Sequence, residues 1–129
     1  MRPLSLLWCA AGTVAVLGSF AAGPQDTGPT PAQLALGDSV YHGRVGGALC
    51  FVCHGPAGKG VKGTGPDLTD KEWLNADGSV ASIEKVITEG VAKPKKHPAP
   101  MPPKGGGQLT DSQIKAAAAY VYSLSHPTK

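Results

Sequence analysis

Residues 49–56, "LCFVCHGP", decide the reading of this chain: two cysteines stand two residues apart and a histidine follows the second directly. A thiol redox pair, a metal site and a covalent haem attachment all use such spacing, and each asks something different of the remaining sequence. A thioredoxin-type pair needs a βαβ framework, and no strand-like alternation surrounds these cysteines. A zinc site needs four ligands. Cys50 and Cys53 would have to recruit two of His42, His54, His97 and His126, at spacings that match no common finger. A disulfide across two residues closes a small, strained ring and crosslinks little chain. Haem attachment uses the whole pentapeptide. On one helical turn both thiols reach the two haem vinyl groups as thioethers, and His54 turns its imidazole onto the iron from the same side.

The bulk numbers fit a chain that leans on a cofactor. With 129 residues it holds one domain plus a leader. Aromatic residues make up 5%, against 18 glycines and 12 prolines. Such a chain has few large side chains for a core, and a buried cofactor supplies the missing apolar surface. The opening "MRPLSLLWCAAGTVAVLGSFAAGP" has a basic start, an apolar middle and a small-residue exit. Ser19 and Ala21 suit the −3 and −1 positions, which predicts a signal peptide over 1–21 and a periplasmic domain. The uncharged run from Pro3 to Gly23 is also long enough for an uncleaved anchor in the inner membrane, facing the periplasm. Of the three cysteines, Cys9 falls in the leader, so only Cys50 and Cys53 remain in the domain.

Residues 22–31 are a Pro-rich flexible lead-in, and the domain is predicted over 32–129. A first helix starts at the capping box Thr30/Gln33 with Pro31 at its first position. Leu34, Gly37, Tyr41 and Val45 recur at helical spacing until Gly46-Gly47. Gly37 in mid-helix costs about 1 kcal/mol relative to alanine, which predicts a close neighbour there. A glycine-rich loop, "GPAGKGVKGTGPDL", follows the cysteines. "TDKEWL" carries a second capping box, Thr69/Glu72, and predicts a short helix. "SVASIEKVITEG" predicts another, with Gly90 as its stop. Residues 91–107 contain five prolines and predict a long, stiff loop. A third box, Thr110/Gln113, opens a last helix with the apolar stripe Ile114, Ala117, Ala118, Val121 and Leu124. The domain is thus expected to be all-α, with three to four helices and two long loops of the kind that serve a site.

The second of those loops contains Met101, the only methionine besides Met1, held between prolines in "HPAPMPPKGG". A proline-clamped loop is an odd home for core filler and a good one for an axial haem ligand. His97 is the rival ligand. His42 and His126 are expected at the surface of their helices.

"CFVCHG", "GPDL", "MPPKGG" and "LTDSQIKAAAAYVYSLS", in this order, resemble class I c-type cytochromes from about Leu34 to Ser125. The segment "PDLTDKEWLNADGSVASIEKVITEG" and the "AAYVYSLS" ending resemble the haem domains of the dihaem subunit of high-oxygen-affinity haem–copper oxidases. With one CxxCH motif the chain is similar to a single-haem relative. The resemblance implies a class I cytochrome c fold around one haem c attached through Cys50 and Cys53, with His54 and Met101 as axial ligands. It implies that the Pro66 carbonyl accepts from Nδ1 of His54, and that Gly37 and Tyr41 pack on Tyr120. Ala117 is smaller than the residue the family often has there, which predicts a looser helix contact. Trp73 is assigned either to a haem propionate or to ordinary packing.

Iron with both axial positions filled by protein has no open place for a substrate, which predicts an electron carrier rather than an enzyme; the resemblance implies that it serves a respiratory chain. If Met101 does not ligate, a small-ligand sensor or weak peroxidase is the alternative; an uncleaved leader would make the chain a fixed oxidase-associated subunit. The formal charge of +3 falls to +2 without Arg2. Lys59, Lys62, Lys93, Lys95, Lys96 and Lys104 lie in the two loops expected around the haem edge, whereas residues 66–90 hold six acids against Lys71 and Lys85. That asymmetry predicts redox partners with an acidic docking surface, such as membrane respiratory complexes. The small net charge and few aromatics point away from nucleic acid.

Overall fold

A computed structural model describes residues 28–127; the leader predicted over 1–21, and residues 22–27 of the lead-in, lie outside the described residues. Four α-helices run in the order α1 (Pro31–Tyr41), α2 (Cys50–His54), α3 (Val80–Glu89) and α4 (Asp111–Ser125), with a 3-10 turn over Pro103–Gly106. Among the described residues there are no named strands, only the isolated bridges Val61–Gly65 and Val91–Met101. None of the described helices is long and apolar enough to cross a membrane.

Local chemistry sets the helix starts. The Thr30 and Thr110 hydroxyls accept from the backbone N–H of Gln33 and Gln113, whose side chains reach back to the cap N–H groups, as both capping boxes predict. Ser79 caps α3 by accepting from the N–H of Ser82. The box expected at Thr69/Glu72 does not form. Asp67 Oδ1 accepts from both the N–H and the hydroxyl of Thr69, and Asp70 Oδ1 accepts from the N–H of Glu72. These short Asx-type bonds satisfy the groups a helix start would have used, so residues 69–74 fold as turns. The first helix is also shorter than its spacing predicts. It ends at Tyr41, because Gly43 takes φ 73° and the chain turns back through Arg44 N–H to Ser39 O. Val45 follows that turn.

α1 and α4 cross at Gly37. A Cβ there would lie 2.1 Å from the Ala116 carbonyl oxygen and 2.6 Å from Tyr120 Cβ, so only glycine permits the approach. The Tyr41 and Tyr120 rings pack 5.4 Å apart beside it. The contact expected to be loose is therefore tight. Ala117 lines the cavity and belongs to the buried core with Val40, Ile83, Ile87, Ile114 and Val121. Burial on α4 goes beyond a single stripe, with all four of Ala116–Ala119 buried, because one side meets α1 and another a cavity.

Candidate functional site

The cavity is a cleft with about 1040 Å³ of empty space, its open mouth included, and mostly apolar walls. Cys50, Cys53, His54, Pro66 and Met101 all line it. The glycine-rich loop accounts for half of this convergence. After His54 the chain reverses through Gly55, whose φ of 77° favours glycine, and Gly60 N–H donates to the His54 carbonyl at 2.7 Å. The Val61–Gly65 bridge then folds the loop back, with Gly65 so close that a Cβ would stand 2.5 Å from the Cys53 carbonyl oxygen. That return brings Pro66 O to 3.0 Å from Nδ1 of His54. With Nδ1 donating there, Nε2 is left as the ring's lone-pair nitrogen. Burial holds the His54 pKa below the usual imidazole value, with the Pro66 carbonyl opposing and the neighbouring His97 assisting. Neutral imidazole is the form that binds metal.

α2 places Cys50 and Cys53 on one turn, and both are free thiols. Burial pushes the Cys50 thiol up, so it stays protonated at neutral pH. Met101 arrives from the second loop. Val91 N–H donates to Met101 O at 2.8 Å and Met101 N–H to Val91 O at 3.0 Å, which ties its loop to the end of α3. Gly90 makes room, since a Cβ on it would lie 2.4 Å from Met101 O. Leu49 N–H donates to Gly105 O, joining this loop to the start of α2.

Two site residues were missed from the sequence. The Tyr41 hydroxyl donates to Gly55 O at 2.6 Å, and His42 Nε2 lies 3.0 Å from Pro56 O, so adjacent α1-end residues hold the two carbonyls after His54. His42 is not a plain surface residue. Its Nδ1 faces Asp38 and its ring packs with Tyr41, Phe51 and Tyr120. A histidine one residue past a helix carries no spacing signal for such a contact; the tyrosine at helical spacing did. His126 stacks on Tyr122 at 4.0 Å. With both rings committed elsewhere, the zinc reading loses two of its four candidate histidines. Trp73 lines the cavity and packs against the core, with its indole over Gly78, where a Cβ would come within 2.7 Å of Nε1.

Removing the Tyr41 hydroxyl should cost about 1–2 kcal/mol, since Gly55 O loses a buried donor. Burial, and after it the charges of Cys50 and Tyr120, hold the Tyr41 pKa above its ordinary value. Below the unfolded tyrosine pKa the hydroxyl's contribution is complete; it declines as pH rises past that point, because the unfolded chain ionises first. Urea titrations of Tyr41→Phe and wild type should therefore converge above about pH 10. Parallel curves across that range would remove the bond from the account.

A small helical domain with a CxxCH turn, a histidine bonded through Nδ1 to a carbonyl and a methionine lining the same apolar cleft has the features of a c-type cytochrome. Comparison with solved structures agrees on the fold. Cytochrome cL from Methylophaga aminisulfidivorans matches with a TM-score of 0.54 at 21% identity, over 70% of this chain and 52% of that one. A chain of a reducing HAO-like protein complex from Kuenenia stuttgartiensis matches with a TM-score of 0.55 at 20% identity, over 78% and 47%. The family model for cytochrome c oxidase, cbb3-type, subunit III matches residues 32–121, and the chain belongs to that family. It is 43% identical to the cbb3-type cytochrome c oxidase subunit FixP of Bradyrhizobium diazoefficiens over 58% of this chain and 23% of that one. It is 34% identical to the subunit CcoP of Rubrivivax gelatinosus over 74% of this chain and 27% of that one. The chain thus spans about a quarter of the length of these relatives. Its domain is a cytochrome c domain of that family.

Proposed function

We propose that the domain carries one electron at a time on a single haem, attached through Cys50 and Cys53 and ligated by His54 and Met101. The observation that supports this most is the convergence of those four side chains on one apolar cleft, from two segments about fifty residues apart. When bound, the haem supplies the one-electron iron couple. The chain does the rest. Cys50 and Cys53 hold the group in place, and the Pro66 carbonyl keeps His54 in the ligating tautomer. The Val91–Met101 bridge presents the thioether. Apolar walls such as Ile83, Val86, Ile87 and Val121 disfavour the extra charge of the ferric state and so raise the potential, as does methionine ligation.

The leader over 1–21 would export the domain to the periplasm, or anchor it at the inner membrane if uncleaved. Its partners there would be membrane respiratory complexes with acidic docking surfaces. Lys62, Lys93 and Lys95, all exposed, support a positive rim, as do exposed Leu49 and Val52 beside the cysteines for an apolar centre. Lys96 contributes less, because it pairs with Glu72.

The test is protein exported together with haem-attachment machinery. Its mass should rise by one haem that denaturation does not remove, and the ferric spectrum should show the weak far-red sulfur-to-iron charge-transfer band. Loss of that band in Met101→Ala assigns the sulfur. A high-spin wild-type spectrum without the band would sink the carrier reading and leave a ligand-binding or peroxidatic haem.

A further inference from the structure

A haem brings two carboxylates as well as an iron and two vinyl groups, and the residues assigned so far account only for the last two. The propionates need hydrogen-bond donors, preferably cationic ones, at the edge of an otherwise apolar cleft. Among the side chains lining the cavity the lysine is Lys96, and the histidine besides His54 is His97. Asn75 adds an amide. Lys96 pairs with Glu72 across twenty-four residues, so the segments 72–76 and 94–97 meet at one rim of the cleft. Cys50 lies against a different part of the Met101 loop, where a Cβ on Gly105 would stand 3.1 Å from its Sγ. Among the described residues, neither Asn75 nor His97 has a hydrogen-bonded side-chain partner, and both are half-buried. Asp67, the other acid lining the cleft besides Glu72, is committed to Thr69.

We propose that Lys96 and His97, with the Asn75 amide, form the seat of the two haem propionates, and that Glu72 holds Lys96 at the rim for this purpose. The inference rests on the haem reading above. One loop then supports the cofactor twice: Met101 at the iron, and Lys96 and His97 at the acidic edge. A cation beside the propionates favours the ferrous state, and Glu72 tempers it.

The experiment uses the haem-loaded full chain and its Lys96→Gln, Lys96→Arg, His97→Asn and Glu72→Gln variants. The primary readout is the propionate bending mode in the resonance Raman spectrum, which follows hydrogen bonding to those carboxylates. It should shift in Lys96→Gln and His97→Asn and return in Lys96→Arg, with the far-red band kept throughout. At the wild-type midpoint potential, the ferrous-to-ferric ratio should fall about threefold in Lys96→Gln and rise in Glu72→Gln, as expected for one charge near the iron at an intermediate effective dielectric. If Lys96→Gln fails to mature, Glu72→Gln decides alone, because releasing Lys96 from its carboxylate must strengthen its hold on a propionate and move the mode. An unmoved mode in every maturing variant overturns the proposal while leaving the haem reading intact. Wild-type protein without covalently bound haem overturns both, and the mass shows which case applies.

Discussion

Gly37→Ala should lower the thermal midpoint of the folded protein by roughly 10 °C or more. Two effects compete at this position. Alanine improves the intrinsic helix preference by about 1 kcal/mol. Against it stands a methyl group 2.1 Å from a backbone carbonyl oxygen and 2.6 Å from Tyr120 Cβ. Neither obstacle is the end of a flexible side chain, so α1 and α4 must move apart. Overpacking of this kind sits at or above the upper end of the usual cost of about 1–3 kcal/mol. The clash therefore wins by about 2 kcal/mol or more, and each kcal/mol is worth about 4–8 °C in a domain of this size. Ala35, exposed two residues earlier on α1, provides the control. Ala35→Gly should lose only about the propensity term, near 1 kcal/mol. The same pair of residues exchanged in opposite directions thus destabilises at both places. Circular dichroism melts of the two variants check it, and a Gly37→Ala protein as stable as wild type would mean that the helices do not cross at this residue.

Met101→Ala should raise the affinity of ferric iron for cyanide or imidazole at least about a hundredfold. In the proposed site an incoming ligand must wait for the sulfur to leave, and its apparent affinity is reduced by the fraction of molecules in which that has happened. The Met101 backbone is held through both its N–H and its carbonyl to Val91, at 3.0 and 2.8 Å. With the backbone so fixed and Pro100 and Pro102 on either side, the sulfur-free state should be a minor one, at about 1% or less. Removing the thioether abolishes the wait. The reduction potential should fall in the same variant, since methionine opposite histidine favours ferrous iron. Equilibrium cyanide titrations of wild type and variant measure the ratio. Equal affinities would show an iron already open in the wild type, and with it the ligand-binding alternative.

How much of this was legible in the sequence depended on the range of the interaction involved. The helical turn over Cys50–His54 and the capping boxes at Thr30 and Thr110 are local, and they appear as read. The box at Thr69 failed for an equally local reason. A carboxylate two residues upstream, Asp67, competes for the same hydroxyl, and the S/T-x-x-E pattern does not register it. The mid-helix glycine announced a close neighbour, and Tyr120 came from family resemblance; that the obstruction is the Ala116 carbonyl could be learned only from the crossing itself. Pro66 likewise came from resemblance, because no spacing rule predicts which carbonyl a folded-back glycine loop delivers to His54. His42 left no trace at all. Its partner is a backbone oxygen, and any residue in the place of Pro56 would have supplied one.

The pairing of Val91 with Met101 has a consequence for how such a domain can change over generations. The methionine sits at the closed base of a loop, and the tip lies between residues 92 and 100. Exposed Lys93 and Lys95 are on that tip. Substitutions or insertions around them can alter the face shown to a partner while the base keeps the sulfur where it is. In the proposed site, recognition would vary at Lys93 and Lys95 while Lys96, His97 and Met101 of the same segment hold the cofactor. A lineage can exchange one docking partner for another without first repairing its iron site.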